Sequence, residues 1–505
     1  MKYPSFARYI VVGTLVLAAT SCDKDKFFGD NLSPNNPATV PPGVLLASVE
    51  ANTAFTFGNT IGRVTESFVQ HYAGAEGIQA PAYDRYSIRG EFDNEWQFNL
   101  YAGSLADAQN IIDNTATTGP VFTGIAKLLK AYNFGLVTDL WGDVPYSQAL
   151  KITAFDKPRF DKQEDIYKGN ASLEIQSLFD LVREGLNDLE QPPGLIVPTA
   201  ADDPIYGGNV TKWKKFGNTL LLKFALQISK KEPALATSII KEVLDKGPNL
   251  YMSDNADDFQ LAFGTTVGNT NPFYSYNITN RPGDQIASQR FIDSLNLRKD
   301  PRLPRFYTNS PANALATTTD FGTFTGFNNG GNGTPAAVAN RSRYNTYILG
   351  ASGEAPVRML TNFQTKFILA EAALVLGTAG NPQELFTQGI TASMTKAGVA
   401  TTDITAYLSN PANARWVTLA GTDVQKRQNK ILTQKWISLL GNGYESWNDY
   451  RRTGFPRLAP VENPSTDSPV IPRRFFYTLT EASSNATQIP APQPNITADV
   501  WWATK

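Results

Sequence analysis

Apolar side chains recur every third or fourth residue along much of this chain, and that spacing constrains its fold more than any other feature. The same period is present in residues 210–229, 361–377 and 423–443. Such a pattern predicts a mainly α-helical scaffold with little regular sheet, because each helix must bury one apolar face. In residues 172–190, the side chains on that face are Leu178, Phe179, Val182, Leu186 and Leu189.

Residues 261–345 depart from the helical pattern. They are rich in Gly, Asn, Thr, Phe and Tyr, and they contain few helical windows. We expect long irregular loops here, carried on the helical scaffold. Helix pairs separated by Pro-containing loops suggest a solenoid, but no strict repeat of about 34 residues is present, so any repeats are degenerate.

The first residues follow the pattern of a secretory signal peptide. Lys2 and Arg8 give a positive start, and Tyr9–Thr20 is mostly apolar. This run has about 12 residues, whereas a membrane-spanning helix needs about 20. A cleaved leader over residues 1–21 is therefore favoured over a permanent transmembrane helix or a buried N-terminal helix.

Cys22 is the only cysteine and cannot form an internal disulfide. The segment Leu17–Cys22 resembles the bacterial lipobox, with Ala19 at the position three before the cysteine. Cleavage there would leave Cys22 as a lipidated first residue, and several acyl chains on one residue anchor a protein stably. The charged segment 23–26 that follows resembles the surface-export signals of Bacteroidetes lipoproteins.

A polar spacer separates this expected anchor from the helical body. Residues 29–43, GDNLSPNNPATVPPG, are rich in Asn, Pro and Gly and show no apolar period. We therefore divide the chain into a signal peptide (1–21), a lipidated N-terminus with a flexible tether (22–43), and one folded domain (44–505) with its loop-rich insert at about 261–345.

Composition excludes several classes of function. A net charge of −1 argues against nucleic-acid binding, which requires a basic footprint. The chain has one histidine, His71, and no Gly-x-Ser-x-Gly, and Cys22 is assigned to the lipid. We therefore expect no nucleophilic triad, no catalytic residue and no soft metal site. No Gly-x-x-x-x-Gly-Lys loop occurs, and no cofactor is expected.

One enzymatic alternative stays open. A glycosidase needs only two carboxylates at a set separation, and the chain has 46 acidic residues. We expect His71, in FVQHYAG, to be a helix residue whose ring is satisfied by hydrogen bonds.

Five stretches resemble, in order along the chain, the motifs of one family. They are NEWQFNLYAGSLADAQNIID (94–113), AYNFGLVTDLWGDVPYSQAL (131–150), FILAEAALVLG (367–377), WISLLGNGYESWNDYRRTGFPRL (436–458) and IPRRFFYTLTEASSNATQ (471–488). Together with the lipoprotein start, they resemble the SusD/RagB-like nutrient-binding outer-membrane lipoproteins, in their SusD-like_2 branch.

This resemblance implies an α-helical fold built on tetratricopeptide-like helix pairs. It also implies a surface lipoprotein of the outer membrane, held there by its lipid anchor, that caps a TonB-dependent SusC-like barrel. Such a cap captures a glycan, or in some members a peptide, and delivers it to the barrel.

Two of these motifs are expected to be structural. In LWGDVPY, Gly142 and Pro145 should end a helix, with Trp141 and Tyr146 packed around the corner. In ESWNDYRRTG, the charged side chains are expected to form buried ion pairs with bidentate geometry. Those side chains are Glu445, Asp449, Arg451 and Arg452.

Three loops combine aromatic side chains, which cover the flat faces of sugar rings, with polar groups that meet hydroxyls. The alternative is that these aromatic side chains pack locally under their own loops. The ligand-binding candidates are Tyr83, Arg85, Tyr86 and Trp96 in the first loop, Tyr274, Tyr276 and Asn277 in the second, and Phe324 and Phe327 in the third.

The sequence therefore favours a binding lid with glycan cargo. A lid with peptide cargo, a surface glycoside hydrolase, and a scaffold that binds only protein are the alternatives. Loop aromatic side chains suit a glycan, but they would also accept a peptide backbone.

Overall fold

A computed structural model describes residues 40–151, 153–311, 322–414 and 423–504. Cys22, the signal peptide and most of the tether lie outside the described residues. The longer helices are Pro42–Gly58, Thr60–Phe68, Glu95–Leu105, Ala106–Thr115, Pro120–Trp141, Leu178–Asp188, Val210–Ile228, Pro233–Asp245, Gln289–Arg298, Asn362–Val375, Pro382–Lys396, Thr401–Ser409, Val424–Ser438 and Gly443–Thr453. The first of these helices begins at Pro42, inside the stretch assigned to the tether.

Several helices pack against a long central one. The helix Pro120–Trp141 contacts both Ala106–Thr115 and Leu178–Asp188. A Cβ at Gly124 would lie 2.8 Å from the carbonyl oxygen of Gly185, so these two backbones approach at a distance that only glycine allows. A second group is formed by Asn362–Val375, Pro382–Lys396 and Val424–Ser438. This helical architecture confirms the predicted fold class.

Strands are short and occur as three two-stranded antiparallel ribbons among the described residues. One ribbon pairs Tyr72 with Ala287 and Gly74 with Gln285, which joins the first helices to the loop-rich insert. The strand pairs are Tyr72–Gly74 with Gln285–Ala287, Val144–Pro145 with Phe160–Asp161, and Phe259–Leu261 with Val357–Leu360.

Helix boundaries follow local capping chemistry. The pattern over 172–190 predicts one helix, but the helix begins at Leu178, because the Ser177 hydroxyl accepts a hydrogen bond from the Asp180 N–H at 2.9 Å. Residues 171–173 form a separate 3₁₀ turn. The expected corner at LWGDVPY is confirmed, since the helix ends at Trp141 and Gly142 takes a φ of 82°.

The ESWNDYRRTG motif forms a buried ion-pair network, as predicted for three of its four charged residues. Arg452 binds Glu371 through two parallel hydrogen bonds of 2.7 and 2.8 Å, and it also contacts Asp449 at 3.0 Å. Burial would raise the pKa of Glu371, yet the Arg452 guanidinium holds it below its usual value. Glu445 pairs with Lys223 at 3.2 Å.

Arg451 differs from this prediction. Its guanidinium donates to the backbone carbonyls of Asp139 and Arg473, and it lies 3.7 Å from the ring centroid of Trp447. Its second terminal nitrogen donates to the Asn448 side chain, and within the described residues it forms no salt bridge with a carboxylate.

His71 is fully buried, and its ring contacts Glu66 at 2.9 Å and the Trp436 carbonyl at 3.0 Å. It is therefore a satisfied residue, as expected, but it lies just after the helix Thr60–Phe68 and not within it. Across the described ranges, no helix has both the length and the apolar character needed to cross a bilayer.

Candidate functional site

The first candidate loop turns several of its side chains inward. Tyr83 is buried, and its hydroxyl donates to Glu91 at 2.8 Å. Tyr86 is completely buried at a φ of 67°, its ring packs edge-on to Phe68, and its hydroxyl accepts a hydrogen bond from the Val461 N–H. Burial argues against ligand contact for these two tyrosines and favours the alternative of local packing.

Arg85 instead joins two loops. Its guanidinium donates to the Gly331 carbonyl at 3.2 Å and to the Asn332 side chain at 2.9 Å. The neighbouring Asp84 is buried and accepts hydrogen bonds from Asn329 and from the Gly330 N–H. Burial raises the pKa of Asp84 to about 6, although these hydrogen bonds oppose the shift. The first and third candidate loops are therefore held against each other.

The second candidate loop lies beside the Tyr72–Gly74 ribbon. The hydroxyl of Tyr276 donates to Asp284 at 2.7 Å, and the Arg63 guanidinium lies 4.3 Å from its ring centroid. Asn277 is buried and donates to the Phe273 carbonyl at 2.9 Å. Tyr274 is half-buried.

In the third loop, Phe324 and Phe327 are half-buried. The Phe327 backbone N–H donates to Ala287 at 3.0 Å, which ties this loop to the same ribbon. The half-buried candidates Tyr274, Tyr276, Phe324 and Phe327 stay predictions as ligand contacts.

A small polar cavity, here called the loop pocket, lies where the third candidate loop meets the segment 460–462. It has a volume of about 260 Å³. Its residues come from four separate parts of the chain, and sequence analysis points only to Asn328 among them, as a polar residue of the third candidate loop. Its lining is Gln70, Arg290, Asp293, Asn328, Asn329, Pro460, Val461 and Glu462.

A larger cavity of about 720 Å³, here called the aromatic groove, contains the remaining candidate, Trp96. Trp96 and Tyr101 lie on the helix Glu95–Leu105, with ring centroids 4.8 Å apart. The Trp96 indole donates to Glu481 at 3.2 Å, and the Tyr101 hydroxyl donates to the Pro145 carbonyl at 2.7 Å. These bonds fix both rings in place and join three distant chain segments.

Apolar and polar groups share the lining of the aromatic groove. Trp96 is 2% exposed, so its ring forms a buried wall, and Tyr101, Ala102 and Leu150 supply the open apolar surface. The polar lining consists of amide, carboxylate and hydroxyl side chains, and no lysine or arginine is present among the described residues that line it. The polar side chains that can hydrogen-bond a ligand are Gln97, Gln109, Asn110, Asp113, Asp156, Thr480, Glu481 and Ser484.

Two ionisable groups at the aromatic groove have shifted pKa values because they are buried. Burial raises the pKa of Glu481, although hydrogen bonds from Asn485 and Trp96 oppose the shift. Burial lowers the pKa of Lys130 to about 8, and its ammonium group donates to the side chain of Gln109 behind the lining.

Three of the five motif stretches supply the aromatic groove: residues 94–113, 131–150 and 471–488. Their convergence was the sequence signal that could have located the groove, but each stretch by itself is typical of helix packing. Among the residues that the structure describes, no cluster of three histidine, cysteine or acidic side chains could hold a metal ion.

The chain is similar to a family of starch-binding proteins that associate with the outer membrane, SusD-like_2, whose profile matches residues 34–478. No match was found among curated proteins.

Solved structures agree with this assignment. A chitin-binding protein is 26% identical with a TM-score of 0.76, over 92% of this chain and all of the other. A SusD homologue from Bacteroides uniformis is 24% identical with a TM-score of 0.72, over 91% of this chain and 99% of the other. A chitin-binding SusD homologue from Flavobacterium johnsoniae is 21% identical with a TM-score of 0.74, over 91% of this chain and 97% of the other. Since the family profile spans most of its length, the chain belongs to the SusD-like_2 family.

Proposed function

We propose that this protein is a surface-exposed outer-membrane lipoprotein that binds a nutrient glycan and delivers it to a TonB-dependent SusC-like transporter, acting as its lid. Membership of a starch-binding, outer-membrane-associated family supports the glycan and the location. The chitin-binding relatives support an oligo- or polysaccharide as the cargo.

The aromatic groove is the observation that carries the proposal. A sugar ring presents flat C–H faces and a hydroxyl edge, so it needs apolar ring surface beside fixed hydrogen-bonding groups. Tyr101 and Leu150 supply the apolar surface, and Gln97, Asn110 and Asp113 supply donors and acceptors. About 720 Å³ is room for more than one sugar unit. The groove therefore suits an oligosaccharide segment.

The lid part of the proposal rests on the N-terminus. Acylation at Cys22 would hold the protein at the membrane, and residues 22–41 would let the helical body hinge over a barrel. Co-purification from gently solubilised membranes tests this part. A large barrel partner is expected, and its repeated absence from cross-linked and native preparations would contradict the lid role.

A non-enzymatic role fits the chemistry of the described residues better than hydrolysis. The lone histidine, His71, is buried and fully engaged, so it cannot act on a ligand. The carboxylates of the aromatic groove, Asp113, Asp156 and Glu481, keep the glycoside hydrolase as the alternative to test.

The experiment uses the chain from Asp23 onward, run through native gels that contain a panel of polysaccharides. The same mixtures are assayed for reducing ends, and peptide binding is measured in parallel. Retardation by one polymer without released product is expected. Product release would favour the hydrolase, and peptide binding without retardation would change the cargo while keeping the lid.

A further inference from the structure

We propose that the loop pocket is a second binding site, separate from the aromatic groove, and that it takes one neutral sugar unit by its hydroxyls. The site rests on the proposed function only in that the sugar would belong to the same glycan. Its binding chemistry is independent of the lid role.

Gln70 is the observation that points to a ligand. It is 1% exposed and lines the loop pocket. Its side-chain nitrogen donates to the Ala459 carbonyl at 2.7 Å, which fixes the orientation of the amide. Its side-chain oxygen is buried and makes no hydrogen bond with any residue that the structure describes. Several buried side-chain oxygens of the described residues lack a partner, but this one belongs to a residue that lines the loop pocket, where a ligand hydroxyl can donate to it.

The backbone of Gln70 strengthens this argument. Its φ is 60°, in the left-handed region that non-glycine residues seldom occupy. The turn after the helix Thr60–Phe68 holds this conformation, since the Gln70 N–H donates to the Ser67 carbonyl at 3.0 Å. Strained residues of this kind concentrate at ligand sites.

The walls of the loop pocket are fixed before any ligand arrives. Asn329 accepts a hydrogen bond from Ser288 at 2.7 Å, and its own amide donates to the Tyr72 carbonyl at 2.8 Å. The Glu462 N–H donates to the Asn329 carbonyl at 3.0 Å, and the Asn328 amide donates to the Glu462 carboxylate at 2.8 Å. A ligand would therefore meet preorganised groups.

Donors and acceptors around the pocket match hydroxyl groups. Arg290 offers N–H donors, and Asp293, Glu462 and the Gln70 oxygen offer acceptors. A sugar hydroxyl can donate to a carboxylate while it accepts from a guanidinium, so adjacent hydroxyls satisfy this set. With one arginine against two carboxylates, the pocket disfavours a phosphate or sulfate.

Size and lining distinguish this pocket from the aromatic groove. Its volume of about 260 Å³ is well under half of the aromatic groove's volume of about 720 Å³, which is room for one sugar ring. No aromatic side chain is among the lining residues that the structure describes, so recognition would run through the edge of the ring and not its face. A single sugar unit at the end of a glycan, or on a side branch of it, would fit the loop pocket.

The test titrates the chain from Asp23 onward with methyl glucoside, methyl galactoside, methyl mannoside and N-acetylglucosamine, followed by saturation-transfer NMR. Glucosamine, lysine and inorganic phosphate are the charged comparators. One neutral sugar is expected to bind saturably, and Arg290→Ala and Asp293→Ala should each weaken it about five- to tenfold, as for one lost hydrogen bond. Asn296→Ala, exposed on the same helix and outside the pocket lining, is the matched control.

Gln70→Leu should abolish sugar binding, and circular dichroism checks that this variant folds. If it misfolds, the variants of Arg290 and Asp293 still test the proposal, because both side chains are exposed. The proposal is overturned if no neutral sugar binds, if binding ignores Arg290 and Asp293, or if only glucosamine, lysine or phosphate binds. Failure here with intact polymer retardation in gels would refute the second site and leave the proposed function standing.

Discussion

Carboxylates, amides and aromatic rings meet in two regions of this molecule, the buried network around Arg452 and the aromatic groove. In the network every charged group is enclosed, and Arg452 holds Glu371 by two parallel hydrogen bonds. In the aromatic groove, the polar groups of Gln97 and Asn110 lie at an exposed rim. The same residue types are closed off in the network, where they stabilise the fold, and stay open in the aromatic groove, where we propose that they bind a ligand.

If this contrast is correct, breaking the network should cost the most. Arg452→Ala leaves Glu371 as an unpaired buried charge, and such changes destabilise a protein by about 3–5 kcal/mol. Urea denaturation followed by circular dichroism measures the loss. The folded fraction of the variant should still retain polysaccharide. An unchanged free energy of unfolding after the substitution would show that the buried ion pairs do not stabilise the fold.

The buried Asp84 predicts that the stability of the protein depends on pH. Its pKa of about 6 in the folded protein lies above the ~3.9 of an unfolded aspartate, so the folded state holds a proton between about pH 4 and 6 that the unfolded state releases. Stability from this group therefore falls as the pH rises through that window, by at most about 3 kcal/mol at 1.36 kcal/mol per pH unit.

Urea denaturation of the wild type and Asp84→Asn between pH 4 and 7 measures this effect as a difference. The difference in unfolding free energy between the two proteins should change across the window and level off above it. A constant difference would mean that Asp84 is already ionised in the folded protein at pH 4.

Substitutions at the rim of the aromatic groove should weaken ligand binding and leave the stability of the fold nearly unchanged. Gln97→Ala removes an exposed amide, so we expect about fivefold weaker polysaccharide binding, as for one lost hydrogen bond, and less than about 0.5 kcal/mol change in stability. Gln425→Ala, also exposed on a helix, is the control. Affinity gels give the first quantity. Equal binding by both variants would remove Gln97 from the site.

The smallest effect is expected in the third candidate loop. Phe327 is half-buried and lies outside both cavity linings, so Phe327→Ala should change polymer retardation by less than about twofold, as for a peripheral contact. The same gels measure it. A loss above tenfold would return the ligand site to the candidate loops.

Much of the fold could be predicted because its causes are local. The spacing of apolar residues predicts a helix over 210–229, and the observed helix Val210–Ile228 differs from it by one residue. The Gly142 turn and the Arg452 ion pairs follow from short motifs. Boundaries failed where a single cap decided them, as Ser177 did for the helix at Leu178.

The site was less predictable because it is assembled across long sequence separations. Trp96 meets Glu481, and Gln70 meets Glu462 in one pocket, only after the whole chain has folded. Loop composition also misled for Tyr86, since an aromatic residue in a polar loop shows the same sequence pattern whether its ring faces solvent or the core. The exposure of an aromatic side chain depends on how the folded chain packs around it, and its local sequence does not determine this.

The most direct measurement of the central claim is the affinity of Ala102→Trp for the polysaccharide that retards the wild type, determined by isothermal titration. Ala102 is exposed within the aromatic groove, so an indole there would fill the space without entering the core. Ala234→Trp, at an exposed helical site elsewhere, controls for the added ring. We predict at least tenfold weaker binding for Ala102→Trp alone, about 1.4 kcal/mol. Unchanged affinity in a folded Ala102→Trp protein would contradict the assignment of the glycan to the aromatic groove.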